Sequence, residues 1–569
     1  MKSFPGYPES MWPSLEMVEK TRPKRVELAK QGLINFLKPM SLEEREDVLS
    51  KYHPDYQPDA EKEIHVGPNK GEKLTAKVVE LLESHARIKP EEVDLSNPDF
   101  DVDVLVIGGG GAGSQAAIWA MKEGADSIVL ATKLRIGDAN SMMSQGGMQA
   151  AVNPHDSPVI HYLDIIGGGH FANKPELVKV LASEAPFIAK FLMELGVMWD
   201  RDETGHLQTK PGGGTSRRRM LSARDYTGAE IMRVLRDEVK NHPDKITLLE
   251  YSPAIELLTD EEGRVAGAIL MQTETGEFIV VRAKSTVITT GGFGRLHIKG
   301  FPTTNHYGAT ADGLVLAYRV GARLRDMDTV QFHPTGAVFP EQVWGFLITE
   351  KVRGLGGQPV NKNGELFVYP LEPRDVEAAS FIRECAKGLG VTTPTGKVGV
   401  WLDSPVIEEL SGPGTIEKQL PAMLRQFHRF GIDIRKTPML VYPTLHYQNG
   451  GIEINERTET NVPNLFVGGE ASGGVHGKNR LMGNSVLDYN VFGRRAGIFA
   501  AQNAKKNNIG KKLTLQHVEK WEKELKEAGI ETKRISPILF PDYRNKEILK
   551  KHRNEFDPFI GFALTGWQE

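Results

Sequence analysis

The sequence contains a single cysteine, Cys385, in 569 residues. One thiol excludes a disulfide framework, a tetrathiolate zinc site and a self-contained iron–sulfur cluster within this chain. Any cluster that exchanges electrons with it must therefore sit on another subunit. Long apolar runs are missing as well: none reaches the roughly 18 residues of a spanning helix, and Met1 to Pro23 has no apolar signal core. The expected compartment is the cytoplasm, with any membrane connection made through partners. Excess positive charge is also absent, since a formal net charge of -4 gives none of the basic footprint of a nucleic-acid binder. No metal site is expected. What is plentiful is glycine, 59 residues, several of them clustered where a backbone could approach a phosphate or a ring closely.

The length is too great for one hydrophobic core and implies two or three domains. Residues 1–100 form a charged, proline-punctuated extension, expected to pack on the body or on a partner. Two short helices are expected in it. Ser41-Leu42-Glu43-Glu44 has the pattern of a capping box, and Leu74, Val78, Leu81 and Leu82 recur at helical spacing. From Val102 the texture becomes alternating buried strands and helices, the mark of an α/β fold. Lys505 to Lys512 marks the exit from that core, and Val518, Trp521 and Leu525 then share one face of a short helix.

Val102 to Ile107 is a continuous apolar strand of the kind buried in a parallel sheet. It runs into Gly108-Gly109-Gly110-Gly111-Ala112-Gly113, and Ser114 to Glu123 has helical character. Gly108, Gly110 and Gly113 satisfy the G-x-G-x-x-G spacing in the strand–turn–helix context that a dinucleotide fingerprint requires. The glycines permit the tight turn, the approach of a pyrophosphate and helix–strand packing, while the helix N-terminus favours negative charge. The second strand, Ser127 to Leu130, ends in Ala131-Thr132-Lys133. It lacks the acid that would hold a ribose hydroxyl, which counts against NAD.

Further segments carry a resemblance. These are Thr132-Lys133, Ser144-Gln145-Gly146-Gly147, Thr289-Thr290-Gly291-Gly292, Ala311-Asp312-Gly313 and Leu465 to Glu470. In this order they resemble the flavoprotein subunits of the fumarate reductase/succinate dehydrogenase family, with L-aspartate oxidase as a close relative. The resemblance runs from about Asp101 to Gln502. It implies a Rossmann-like FAD-binding domain (101–326 and 446–505) with an inserted α+β capping domain (327–445). Short helical extensions, 1–100 and 506–569, complete the α/β chain. By the same resemblance FAD is held by Gly108, Gly110, Gly111, Ala112, Gly113, Thr132, Lys133, Asn140, Ser141, Gln145, Gly146, Gly147, Ala254, Thr290, Gly291, Asp312, Glu470, Arg480, Ser485 and Leu487. Asn140 stands where covalent-flavin members carry a histidine, so non-covalent FAD is expected. The helix beginning at Asn484 would aim its N-terminus, about half a positive charge, at the flavin.

The chemistry-bearing segments follow the same resemblance. Gln331-Phe332-His333-Pro334-Thr335-Gly336, Thr349-Glu350-Lys351-Val352-Arg353-Gly354, Pro373-Arg374-Asp375, Leu445-His446-Tyr447 and His476 to Arg480 are similar to the family's substrate motifs. They imply hydride exchange between flavin N5 and the CH–CH bond of a small carboxylate such as fumarate or succinate. Carboxylates are best gripped by arginine forks and histidine donors. His446 and Arg480 would hold one carboxylate, and His333 and Thr349 the other. Arg374 would be the proton donor, relayed by Glu350 and Arg353. Electrons would be exchanged with an iron–sulfur partner subunit.

Three departures bear on the substrate. Gly212 stands where fumarate enzymes have a phenylalanine and L-aspartate oxidase a glutamate. Gln448-Asn449 replaces Thr-Met after His-Tyr. Lys478 and Met482 alter the H-G-A-N-R-x-G-S-N-S segment. Two alternatives therefore accompany the leading expectation: an amino-acid oxidase resembling L-aspartate oxidase, and a non-catalytic electron-transfer or scaffolding flavoprotein of a larger complex.

Overall fold

The computed structural model describes residues 2–32, 37–506 and 509–543. Its largest sheet has eight strands. At its centre Phe100–Ile107 lies parallel to Ile128–Ala131 and to the second half of Phe278–Ile288. Parallel neighbours need a crossover, and the fingerprint helix Gly111–Lys122 supplies it. Ile246–Leu249 extends the parallel part, while Ala254–Asp260 and Val265–Met271 continue the sheet antiparallel from the first half of Phe278–Ile288. Leu465–Val467 adds a parallel strand at Thr286 to Ile288. The long helix Asn484–Ala504 packs on the fingerprint helix through glycines. A Cβ at Gly493 would fall 2.5 Å from the Ala112 carbonyl oxygen, and one at Gly497 2.1 Å from that of Ala116.

A second sheet of five strands carries the substrate motifs. Val330–Ala337 pairs antiparallel with Met439–Gln448, which pairs with Val398–Asp403, followed by Gln358–Val360. The strand Met439–Gln448 continues through the expected boundary at 445/446, so His446 sits on a cap strand rather than on a linker. The cap helix Arg374–Ala386 crosses this sheet, beginning directly after Pro373, a residue that tolerates the non-helical entry to a first turn.

The N-terminal extension departs most from expectation. Trp12–Lys30 is a 19-residue helix, with Pro13 in its first turn and Pro23 inside it. Its buried face joins Leu15 and Val18 to two buried arginines, Arg22 and Arg25, both paired with Asp403 of the cap at 2.8 and 2.7 Å. Phe4, Tyr7, Met11, Leu15 and Val18 are part of the cap's own apolar core, beside Trp401 and Phe427. The capping box is present: Ser41 and Glu44 satisfy one another's backbone N–H at the start of Leu42–Tyr52. That helix packs Val48 and Leu49 on Val376 and Ala379 of the cap helix. Leu74 lies on a short strand, Lys73–Thr75, and not on the helix Ala76–Leu82 that holds Val78, Leu81 and Leu82. Gln516–Glu527 forms the expected C-terminal helix; the rest of the 506–569 region, where described, is turns and irregular backbone with the short strands Leu513–Thr514 and Ile535–Ser536.

Just beyond the capped helix, burial depresses His53 to about 4. Its Nδ1 accepts the Asp55 N–H, and its ring meets Phe332 edge-on. His161 and His306 are likewise pushed down to about 4 by burial. A histidine with a folded pKa below its unfolded value is stabilising while both states are neutral, above about pH 6.5. That stability is lost as pH falls toward 4, because only the unfolded chain takes up the proton. His53→Gln is therefore expected to flatten the slope of melting temperature against pH between 7 and 5 by about one proton's worth. Parallel slopes for the two proteins would show that His53 does not resist protonation.

Candidate active site

A deep cleft runs along the C-terminal ends of the central parallel strands, the place where such sheets bind ligands. Fourteen of the residues expected at the cofactor line it: Gly108, Gly110, Gly111, Ala112, Thr132, Lys133, Asn140, Ser141, Ala254, Thr290, Gly291, Asp312, Glu470 and Ser485. Six stand behind its wall. Gly113 is pressed against the Gly108 carbonyl, Gly147 against Leu221, and Leu487 is buried in the first turn of the long helix. Gln145 and Gly146 face the substrate side with Arg480; a Cβ on Gly146 would meet Met482 at 2.6 Å.

The cleft suits FAD on several counts. Added Cβ atoms would fall 2.7 Å from Thr132 at Gly109 and 2.4 Å from the Tyr489 ring at Gly111, so only glycine leaves that cradle open. The fingerprint helix has no side-chain cap at Gly110, and neither does the helix Asn484–Ala504 at Gly483. The Gly111 N–H is taken by the Ser141 hydroxyl at 3.0 Å, and the other first-turn N–H groups of the two helices can face anionic groups. Glu470 is half-buried at the cleft, and desolvation pushes its carboxyl up to about 7. It accepts from the Gln448 N–H at 3.1 Å and from Asn140 at 3.5 Å. A polyhydroxyl chain would supply the further donors such a carboxylate needs. Asn140 itself is committed: its amide donates to Asn305 at 2.6 Å and its oxygen accepts the His306 N–H at 2.8 Å.

Beside the cleft the substrate motifs converge on two arginines. Arg374 Nε donates to Glu350 at 2.8 Å and its Nη1 to Gln331 at 3.0 Å. Arg480 Nη2 donates to the same Gln331 oxygen at 2.8 Å. Gln331 is held in turn, its amide nitrogen donating to Asn479 and to the Arg480 carbonyl. One amide thus fixes two guanidinium groups whose charges repel. Burial, then Arg374, depress Arg480, and burial depresses Arg374 in spite of Glu350. Glu350 lies well inside the protein yet remains below its usual carboxylate range, because Arg374 and Arg353 outweigh its burial. Arg353 is 3.5 Å from Glu350 and also pairs closely with Glu377, a wholly buried carboxyl that burial raises well above its usual value.

His333 and His446 stack obliquely with ring centroids 4.9 Å apart. Burial first, then Arg374, hold both well below the usual imidazole range, so both are neutral. His333 Nδ1 accepts the Thr335 N–H at 3.2 Å, which leaves its Nε2 the protonated nitrogen. His446 Nδ1 is 2.7 Å from the Thr304 hydroxyl. Arg480 also lies over the Tyr447 ring, 4.4 Å from its centroid. Tyr447 donates to Asp488 at 2.9 Å, and His476 contacts the same carboxylate at 3.2 Å. Thr349 is buried against the Gly146 loop.

Two features escaped the sequence. Gln331 was legible only as part of a motif, and its role depends on two arginines from segments distant along the chain. Gly212 leaves no hole: Met220 and Met482 fill the space, 3.1 and 3.7 Å from where its Cβ would stand. The next residue, Gly213, donates its N–H to Glu350 at 2.7 Å.

The FAD binding domain family matches residues 103–486. The chain is 42% identical over 415 residues to a subunit of the fumarate reductase (CoM/CoB) of Methanothermobacter marburgensis, covering 71% of this chain and 73% of that one. It is 36% identical over 414 residues to L-aspartate oxidase of Nostoc sp., covering 71% and 69%. Among solved structures, a quinol-fumarate reductase with menaquinol molecules aligns with TM-score 0.67 at 32% identity, covering 75% of each chain. Mycobacterium smegmatis Sdh1 with UQ1 aligns with TM-score 0.62 at 37% identity, covering 74% and 72%.

Proposed function

We propose that this chain, which belongs to the FAD-binding flavoprotein family of fumarate reductases and succinate dehydrogenases, exchanges hydride with the CH–CH bond of a small dicarboxylate. Membership makes it an FAD-dependent oxidoreductase. The observation that carries the substrate reading is the convergence of Arg374 and Arg480 on one Gln331 oxygen, beside two neutral histidines. Arg374, Arg480 and Arg353 clustered on the single ionised carboxylate of Glu350 leave excess positive charge that suits a dianion.

When bound, FAD supplies the hydride chemistry. The chain's residues do the rest. Arg480 and His446 grip one carboxylate, and His333 and Thr349 grip the other. The same cations offset the negative charge that builds on the substrate as hydride arrives. Arg374 has its Nε and Nη1 engaged, and among the described residues no acceptor takes its Nη2. That nitrogen gives a proton to the second carbon. Glu350, ionised at rest, takes up a proton from Arg353 and the solvent side and passes it to the neutral guanidine that the transfer leaves. A guanidinium is a weak acid with a pKa above about 12; burial and the neighbouring cations make it a stronger one here.

FAD is held without a covalent bond, since Asn140 offers no imidazole and its amide is already bonded. Acid precipitation should release all of the flavin into the supernatant. Electrons are exchanged with an iron–sulfur partner subunit. The single thiol, Cys385, cannot by itself hold an iron–sulfur cluster. That partner would also provide any membrane attachment, because no described helix is long and apolar enough to cross one.

The amino-acid oxidase reading is disfavoured by the Gly212 wall, where the nearest groups are two thioethers and the neighbouring Glu350 is already paired with Arg374 and Arg353. The test is anaerobic. Protein reduced with dithionite should be reoxidised within seconds by fumarate, and aspartate should not reduce the oxidised protein. No reoxidation by fumarate in protein that holds its FAD would sink the dicarboxylate assignment.

A further inference from the structure

The segment Ile535–Tyr543 lies beyond the part of the chain that the FAD-binding family matches. Its root is tied to the N-terminal extension. Ile535–Ser536 runs parallel to His85–Ala86, the Ser536 and Ser84 hydroxyls bond at 2.6 Å, and Arg319 donates to the Ser536 carbonyl at 2.9 Å. From there it packs behind Lys133, His306, Gly308 and Asp312, which line the end of the cofactor cleft. In a dinucleotide fold the end of the second strand, here Thr132-Lys133, is where the ribose of the adenosine half is held.

Three walls of that end meet on the segment. Leu539, 1% exposed, accepts on its carbonyl from Lys133 Nζ and from the Thr310 hydroxyl, and its N–H donates to Asp312 at 3.3 Å. Lys133 in turn pairs with Asp312 at 2.5 Å and lies over the Phe540 ring. The Pro541 carbonyl accepts from Tyr307 at 2.6 Å, and the Tyr543 hydroxyl contacts His297 at 2.7 Å and Arg295 at 3.3 Å. Tyr307 and Arg295 flank His306 and Gly308 in the cleft wall.

We propose that Ile535–Tyr543 is a strap that completes the adenosine end of the FAD site and holds the cofactor in place of a covalent bond. The strap binds the second strand, the turn before Asp312 and the loop 295–308 to one another. A buried ammonium such as Lys133 needs every acceptor it has. With the strap gone, Lys133 would keep only Asp312 and Thr310, and the loop would lose its outer anchor. The cofactor would then have to order both. The inference rests on the non-covalent reading, which acid release of the flavin settles separately.

Leu539→Pro is the sharp variant. It removes the N–H that Asp312 accepts, and a proline cannot adopt the φ of +70° that places the Leu539 carbonyl. Apo-protein titrated with FAD by fluorescence quenching should show a Kd at least tenfold higher in Leu539→Pro. A chain ending at Lys533 should behave likewise. A Kd within twofold of the unaltered protein in both would overturn the strap. Coupling between two sites is reciprocal. In the unaltered protein, FAD must therefore slow amide hydrogen exchange across 535–543 by at least tenfold relative to apo-protein. This second measurement needs no variant to fold. Exchange in the segment that ignores FAD would also overturn the proposal.

Discussion

Arg374→Ala should keep its FAD and lose fumarate-driven reoxidation by about a hundredfold to ten-thousandfold, the usual range for a positioned proton donor. Arg374 is not among the residues that line the cofactor cleft, so flavin content and the visible spectrum should match the unaltered protein. Dithionite reduction should also proceed normally, because it needs no substrate proton. The loss must therefore appear in the step that fumarate drives. One complication is structural. The substitution leaves Glu350 buried with Arg353 at 3.5 Å and the Gly213 N–H as its remaining partners. Unpairing a buried charge typically costs about 3–5 kcal/mol. Arg374→Lys separates the effects, because an ammonium still pairs with Glu350 but cannot span Glu350, Gln331 and a substrate carbon at once. Lysine should restore most of the melting temperature and little of the rate. A variant pair that reoxidises at the unaltered rate would favour the electron-relay reading, since a relay has no use for an acid.

How far the sequence led depends on the range of the interaction involved. The fingerprint turn was legible because strand, glycines and helix are contiguous, and the structure builds them as one unit from Phe100 to Lys122. The capping box at Ser41 was legible for the same reason. The helix Trp12–Lys30 was not. Pro13 and Pro23 argue against a helix by local propensity, and Arg22 and Arg25 interrupt its apolar stripe. Its stability comes from Asp403, far along the chain, and from the cap core into which Leu15 and Val18 fit. The substrate site shows the same division. The resemblance grouped Arg374, Arg480, His333 and His446 in one site, and the structure adds that Gln331 joins the two arginines. No property of a glutamine in isolation marks it as the bracket between two arginines. The contents of the Gly212 wall were equally hidden, because Met220 and Met482 come from segments with no shared pattern.

Gly113→Ala tests the other half of the site and should abolish FAD binding. A methyl group there would sit 1.7 Å from the Gly108 carbonyl oxygen and 2.8 Å from the Thr289 hydroxyl. Neither neighbour can yield cheaply. Gly108 is held at φ +119°, and its carbonyl already accepts from Thr289 at 3.0 Å. The fingerprint helix would have to move off the strand, yet its opposite side is closed by Gly493 and Gly497 of the long helix, each with no room for a single carbon. The conflict can be relieved only at the turn that should receive the pyrophosphate. Purified Gly113→Ala should therefore carry less than about a tenth of the FAD per chain, on the scale of an overpacked contact costing about 1–3 kcal/mol or more. Gly167→Ala is the matched control, since that glycine is helical with nothing within 4 Å of an added Cβ. It should bind FAD normally and gain up to about 1 kcal/mol from helix propensity. If Gly113→Ala kept a full complement of FAD, the tight helix–strand contact would be a packing feature alone, and the cofactor's anchorage would have to lie with Glu470, Asn140 and the strap.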